Sequence, residues 1–267
     1  MPLLHILLVA IIQGVTEFLP VSSSGHLILL PNLLGLEDQG QAIDVAVHVG
    51  TLGAVVLFFW SDVKLAILGV PRLLAGKRDT EGATLAFLLL IATVPVVIAG
   101  FILKITGLDE VMRSITVIGW TMLLFGIVLW WADQTGASEK SDGNWNLRDA
   151  IIMGLWQAIA LIPGTSRSGI AITGARRLGY DRTSAAKLAM LMSIPTILAS
   201  GGLLTLQVAG EADIQTAKDG AFAAVFSLLA ALLALKIMMR LLQSISYTPY
   251  VIYRIILGCT LLAIAYS

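Results

Sequence analysis

Charge is scarce in this sequence: Asp, Glu, Lys and Arg make up 13% of it, against 57% hydrophobic residues. A soluble domain carries about 25% charged residues to cover its surface. Water is therefore not the main solvent of this chain. Positive charge is not in excess either, because the formal net charge is zero. That argues against a nucleic-acid partner, which needs a basic face. The three His and the single Cys are too few for a His/Cys metal cluster, and Cys259 alone excludes an intrachain disulfide. The opening Met-Pro-Leu-Leu-His lacks a cationic region and a small-residue cleavage site. It is expected to stay on the mature protein.

What the chain has instead is long apolar runs. A membrane-spanning helix needs about 20 apolar residues in a row. Six stretches qualify, at roughly 42–61, 84–104, 114–132, 184–207, 220–242 and 249–266. Two more do not. Residues 3–34 are interrupted by Glu17-Phe-Leu-Pro-Val-Ser-Ser-Ser-Gly-His26, and residues 149–179 by Pro163-Gly-Thr-Ser-Arg-Ser-Gly169. Each half is too short to cross, so each stretch is expected to dip in and return as a helix–loop–helix hairpin. Irregular backbone at that depth survives only beside protein or a wet cavity.

The two interrupted stretches resemble each other. Gln13 precedes Pro20 and a Ser-rich loop; Gln157 precedes Pro163 and another. Three long spans follow each. An odd number inverts the second copy, which predicts an inverted-topology repeat with the loops meeting near the midplane. The expected fold is an all-α polytopic membrane protein, with six transmembrane helices and two re-entrant hairpins. It forms a single membrane domain over 1–267, its first repeat about 1–133 and its second about 148–267.

Cations set the orientation. Lys64, Arg72, Lys77, Arg78, Lys140, Arg148, Arg176, Arg177, Arg182, Lys187, Lys236 and Arg240 follow the odd-numbered spans; only Lys104, Arg113 and Lys218 follow the even ones. Cationic loops stay cytoplasmic. Both termini and the mouth of the first hairpin are then predicted outside. Phe58-Phe59-Trp60, Trp130-Trp131, Tyr247, Tyr250 and Tyr253 fall at the cationic face, as an interfacial belt would. Residues 62–83 read as a cytoplasmic loop with an interfacial helix. The run Arg176, Arg177, Asp181, Arg182 reads as a solvated turn.

Ionisable groups at membrane depth are functional by default. Glu17, His26 and Arg167 occupy the two interrupted stretches, among the hydroxyls of Ser22, Ser23, Ser24, Thr165, Ser166 and Ser168. A bland reading pairs Glu17 with Arg167 to hold the hairpins together. It leaves the crowd of hydroxyls and His26 unexplained. As chemistry, Arg167 offers a planar fork of donors suited to phosphate oxygens, at the start of a helix. Thr165, Ser166 and Ser168 add neutral donors. Ser23 and His26 share a face if a half-helix begins near Ser23, and a hydroxyl beside an imidazole is an activated nucleophile. His26 attacking directly is the alternative. Glu17 can orient His26, act as a base or bind a divalent metal. Gln13, one turn earlier, faces the same way. The substrate expected is an amphiphile with a phosphate head and a long apolar tail. Asp44 and His48, four apart, form a polar pair facing either the cavity or a neighbouring helix. A transporter would also use paired broken helices, but has no need of the Ser23/His26 pair.

Gln13-Gly-Val-Thr-Glu-Phe-Leu-Pro-Val-Ser-Ser-Ser-Gly-His26 and Pro163-Gly-Thr-Ser-Arg-Ser-Gly169 resemble the two signatures of the undecaprenyl-diphosphatase (bacitracin-resistance) family. Ser193-Ile-Pro195 and the segment Tyr247-x-Pro249-Tyr-x-Ile-Tyr-Arg254 extend the likeness. The resemblance implies hydrolysis of undecaprenyl diphosphate to undecaprenyl phosphate and inorganic phosphate. It implies recycling of the lipid carrier for peptidoglycan synthesis, with Mg²⁺ or Ca²⁺ assisting, at the outer side of the bacterial cytoplasmic (inner) membrane. Site residues carried over are Glu17, Ser22, Ser23, His26, Ser166 and Arg167. Gln13 stands where the family has Glu or Gln, so Glu17 carries the acidic role alone. Partners implied are the substrate and membrane lipids; a homodimer is compatible with the sequence, and return of the monophosphate lipid across the membrane is a further hypothesis.

Overall fold

The computed structural model describes residues 2–27, 40–108, 112, 114–208 and 214–267. They form helices α1 (Leu3–Thr16), α2 (Gly40–Phe58), α3 (Trp60–Leu74), α4 (Glu81–Thr106), α5 (Ile115–Thr135), α6 (Leu147–Ile159), α7 (Arg167–Arg177), α8 (Arg182–Val208), α9 (Ile214–Leu241) and α10 (Thr248–Tyr266). Among the described residues there is no strand. Six of these helices, α2, α4, α5, α8, α9 and α10, are long and apolar enough to cross a membrane. Each coincides with a predicted span within a few residues. The predicted loop at 62–83 is largely helical, because α3 restarts immediately after a break at Phe59.

Local chemistry sets the helix starts. Thr80, Ser114 and Asn146 each accept a hydrogen bond from the backbone N–H three residues on, capping α4, α5 and α6. Asp181 does the same for α8 through Ser184 N–H. Pro249 opens α10, where a missing N–H costs nothing. Pro95 and Pro195 lie inside α4 and α8 without ending them.

Both interrupted stretches fold as short helix, loop, short helix. In the first, α1 gives way to turns up to Val21 and a helical turn at 23–27; the remainder of the hairpin, 28–34, lies outside the described residues. In the second, a loop joins α6 to α7. Packing between the two halves of the chain is reciprocal. α1 packs on α9, and α6 packs on α4. Glycines permit both approaches: a Cβ on Gly14 would sit 2.6 Å from Ser227 O, and one on Gly154 would sit 2.5 Å from Ala92 O. α2 pairs with α9 and α5 with α10.

The charged run at 176–182 is solvated only in part: Arg177 is exposed, but Arg176 is not. Arg176 is 2% exposed, and its guanidinium donates to the carbonyls of Asp133, Gly136, Ala137 and Tyr180. Asp133, fully enclosed, also accepts from Arg182 Nε and from Tyr247 N–H. The carboxylate that draws these arginines inward comes from the end of α5, a partner no local charge pattern reveals. Tyr247 likewise leaves the expected aromatic belt, buried with its hydroxyl donating to Arg182 O. Trp60, Trp130 and Trp131 do remain half-exposed, and the Arg177 guanidinium lies 4.2 Å from the Trp131 ring.

Candidate active site

Glu17 ends α1 and turns into the interior, 8% exposed. Its Oε2 accepts from Gln13 Nε2 at 2.8 Å and from Ser23 Oγ at 2.8 Å. Its Oε1 takes the guanidinium of Arg167. Gln13 reaches it because residues four apart share a helix face. Arg167 reaches it because it is the first residue of α7, projecting from a loop across the interior. The expected pairing of the two interrupted stretches is thus present, and it centres on one carboxylate.

The two loops have matching backbones. Ser22 and Ser166 each have φ of 70°, the left-handed region that non-glycine residues seldom enter. A helix begins directly after each. Each also sets a hydroxyl pair two residues apart: Ser22 with Ser24 at 3.0 Å, and Ser166 with Ser168 at 3.1 Å. Ser24 Oγ accepts from Gly164 N–H, and Ser168 Oγ donates to Leu19 O, so each loop is tied to the other.

A cavity of about 550 Å³ opens over this cluster. That is within the roughly 300–1,000 Å³ usual for small-molecule sites. Glu17, Ser22, Ser23, Ser24, Ser166 and Arg167 form its polar floor. Val96, Val97, Gly100 and Phe101 of α4, with Leu161 and Ala199, form an apolar wall. Lys104, one turn past Gly100, stands on the same side. One end of the cavity therefore suits an anion and another a hydrocarbon chain.

Not every expected residue lines it. Gln13 lies behind Glu17, fully buried. Thr165 is enclosed, and Ser168 turns toward Leu19. Spacing alone sets Ser23 and His26 side by side; the structure separates them. Ser23 turns to Glu17. The His26 ring instead contacts the Ser22 carbonyl through Nδ1 at 2.7 Å and the Tyr253 hydroxyl through Nε2 at 2.6 Å, stacked on the Tyr253 ring. The helical turn does begin at Ser23, as the shared face requires; the side chains part because Ser23 Oγ is taken by Glu17 and the His26 ring folds back onto the Ser22 carbonyl.

The imidazole that does face the cavity is His48 of α2. Its Nδ1 is 2.7 Å from the Asp44 carbonyl, and its Nε2 lies 4.0 Å from Glu17 Oε2. The expected Asp44–His48 pairing therefore runs through backbone. The sequence offers His48 only as the partner of Asp44 and Lys104 only as a cation after the second span; nothing in it ties either to the loops.

For a divalent cation the donors on hand are few. Among the described residues no three His, Cys, Asp or Glu groups converge. Glu17 is the hard oxygen donor that lines the cavity, with Gln13 Oε1 buried behind it and without a hydrogen-bond partner among the described residues. That set fits a cation held largely by phosphate oxygens, as Mg²⁺ commonly is, rather than an all-protein cage.

Comparison with known proteins gives the family of the chain. Residues 6–260 match the family described as bacitracin resistance protein BacA. A protein of a Jannaschia species named undecaprenyl-diphosphatase is 68% identical over 267 residues, the whole of both chains. Those of Ruegeria pomeroyi and Saccharophagus degradans, named likewise, are 67% and 43% identical, covering all of this chain and 100% and 99% of theirs. The chain belongs to the bacitracin resistance protein BacA family.

Proposed function

We propose that this protein hydrolyses undecaprenyl diphosphate to undecaprenyl phosphate and inorganic phosphate, returning the lipid carrier to cell-wall synthesis and conferring bacitracin resistance. One observation carries the reading: a carboxylate, a hydroxyl and a guanidinium meet on the floor of a cavity whose wall is apolar. A diphosphate on a prenyl chain has that same division of character.

In this mechanism Arg167 and the loop hydroxyls hold the terminal phosphate. Glu17 Oε2 takes the proton of Ser23 as its Oγ bonds to the terminal phosphorus. The bridging P–O bond breaks and undecaprenyl phosphate departs. Water then cleaves the phosphoserine, releasing inorganic phosphate. The 2.8 Å contact between Ser23 and Glu17 favours Ser23 over His26 as nucleophile, since both His26 ring nitrogens are engaged elsewhere. A divalent cation, Mg²⁺ or Ca²⁺, would be held by Glu17 and the diphosphate oxygens. When bound it supplies charge neutralisation at the diphosphate.

Placement in the bacterial inner membrane follows as part of the proposal. α4 and α8 both start at cationic segments and line the cavity only with their later residues, from Val96 and from Thr196. With cationic segments cytoplasmic, the cavity opens to the outer side. Reciprocal packing and the matching loops support two inverted units, about 1–133 and 148–267, with the hairpins re-entrant.

The test is phosphate release from a prenyl diphosphate by the purified protein in detergent. Ser23→Ala is expected to lose at least about 10²-fold in kcat, a typical contribution of an activated group. Full activity in Ser23→Ala with none in His26→Ala would reverse the assignment of the nucleophile. Lipid transport without any phosphate release would favour a carrier instead.

A further inference from the structure

Arg254 is 0% exposed in the middle of an apolar helix. Among the described residues no carboxylate pairs with it. Four backbone carbonyls receive its donors instead. Nε donates to Met122 O at 3.3 Å, Nη1 to Pro20 O at 3.4 Å, and Nη2 to Gly164 O at 3.0 Å and Thr165 O at 2.9 Å. A buried cation without a counter-ion is costly, by several kcal/mol in rough terms. Methionine or leucine would fill the space at no such cost. The position therefore demands what only the guanidinium supplies: donors in a planar fork reaching α5 and both interrupted stretches at once.

The consequence lies in peptide geometry. A trans peptide points its N–H opposite its C=O. Thr121 Oγ1 holds Pro163 O at 2.6 Å, and Arg254 holds Gly164 O and Thr165 O. All three carbonyls of this turn are thereby drawn to the α5–α10 side. The N–H of Gly164 faces the other way, to Ser24 Oγ on the cavity floor. The N–H of Ser166, opposite the Thr165 carbonyl, has no backbone or side-chain acceptor among the described residues. Both residues line the cavity. Gly169 keeps this arrangement open, since a Cβ there would stand 3.0 Å from Arg254 Nη1.

We infer that Arg254 is a positioning residue of the phosphate site: by gripping the Thr165 carbonyl from behind it aims the Ser166 N–H at the anion in front, while its hold on the Gly164 carbonyl fixes the turn, whose Thr165 N–H is spent on Ile162 O. It touches no substrate. Its formal charge also lies directly behind the cradle, in a low-dielectric setting, with no carboxylate among the described residues to cancel it. The inference rests on the diphosphatase reading and adds a residue to that reaction.

The experiment compares wild type, Arg254→Met and Arg254→Lys, each purified in detergent. It measures phosphate release from farnesyl diphosphate, melting temperature, and binding of the non-hydrolysable methylene diphosphonate analogue. Removal of one preorganised oxyanion donor costs about 10²–10³ in kcat. Arg254→Met is expected to lose activity on that scale while melting close to wild type, because relief of a buried unpaired charge offsets the carbonyls left without a donor. Analogue binding should weaken far less than kcat falls. Arg254→Lys keeps the charge but cannot span the carbonyls, and is expected to lose at least tenfold in kcat. A purely structural role would lower melting temperature and activity together, and would overturn the inference. So would Arg254→Met with wild-type kcat. If Arg254→Met yields no folded protein, Arg254→Lys decides: wild-type kcat in that variant overturns the inference. Wild-type protein that releases no phosphate removes the diphosphatase reading, and the inference with it; active wild type beside fully active variants sinks this inference alone.

Discussion

Glu17→Gln is the most informative single change, because it keeps volume and removes only charge. The carboxylate now serves four neighbours: Arg167 at Oε1, and Gln13, Ser23 and, more distantly, His48 at Oε2. An amide has one acceptor oxygen and turns an NH₂ toward a donor, so at least one of these contacts fails. Breaking a buried ion pair costs about 3–5 kcal/mol. Here the Arg167 side chain is 21% exposed to the cavity against 5% for Glu17, so water recovers part of that loss. A net cost of ~2 kcal/mol remains reasonable, lowering the melting temperature by roughly 4–8 °C for a chain of this size. Catalysis should suffer more. A positioned proton acceptor is worth about 10²–10⁴ in rate, so kcat should fall by at least the lower figure. Arg167→Met and the double variant complete a cycle. Removing both charges should restore the melting temperature but not the activity. The assay is phosphate release at saturating substrate, beside thermal unfolding in the same detergent. Glu17→Gln turning over within tenfold of wild type would refute the reasoning, and leave the pair as a mere clasp between hairpins.

Other outcomes follow from the same geometry. Arg167→Lys should lose about 10²-fold in activity, since a point charge cannot reproduce the planar fork; near-normal turnover would exclude bidentate phosphate contact. Exhaustive chelation should abolish phosphate release, and Mg²⁺ or Ca²⁺ should restore it; full activity in chelator would remove the cation from the proposal. Gly100→Phe places a ring in the apolar wall, where a Cβ on Gly100 would stand 3.8 Å from the Leu161 side chain. KM for undecaprenyl diphosphate should rise tenfold or more, with a smaller change for a geranyl substrate. Equal changes for both would mean this wall does not hold the tail.

Much of the fold was legible because the bilayer is a severe solvent. Backbone groups must be satisfied within the segment, so a long apolar run can only be a helix, and a Pro- and Ser-rich break can only be buried or wet. The meeting of Glu17 with Arg167 was legible for the same reason: two ionisable groups at membrane depth need each other or a ligand. Rotation about the helix axis was not. The half-helix starts at Ser23 as the spacing requires, yet His26 turns to Tyr253 because Glu17 takes the Ser23 hydroxyl, and Tyr253 is distant in sequence. Arg254 could have been found by the rule that singled out Glu17, since it too is ionisable within an apolar run. Its partners are carbonyls, which every residue has, so the sequence offers no hint of where it points. Arg176 misleads for the opposite reason: its neighbours in sequence are charged, while its environment is set by Asp133 at the end of another helix.

The crossed docking of α1 on α9 and of α6 on α4 bears on biogenesis. The amino-terminal hairpin emerges from the ribosome long before the helix that will shelter it has been synthesised. Chains grow at about 5–20 residues per second, so on the order of ten seconds or more separates the two. For most of that interval Glu17 lacks Arg167, which lies 150 residues further along the chain. The nascent hairpin therefore has to linger near the interface or be shielded by the insertion machinery, and it can settle only when the carboxy-terminal half arrives.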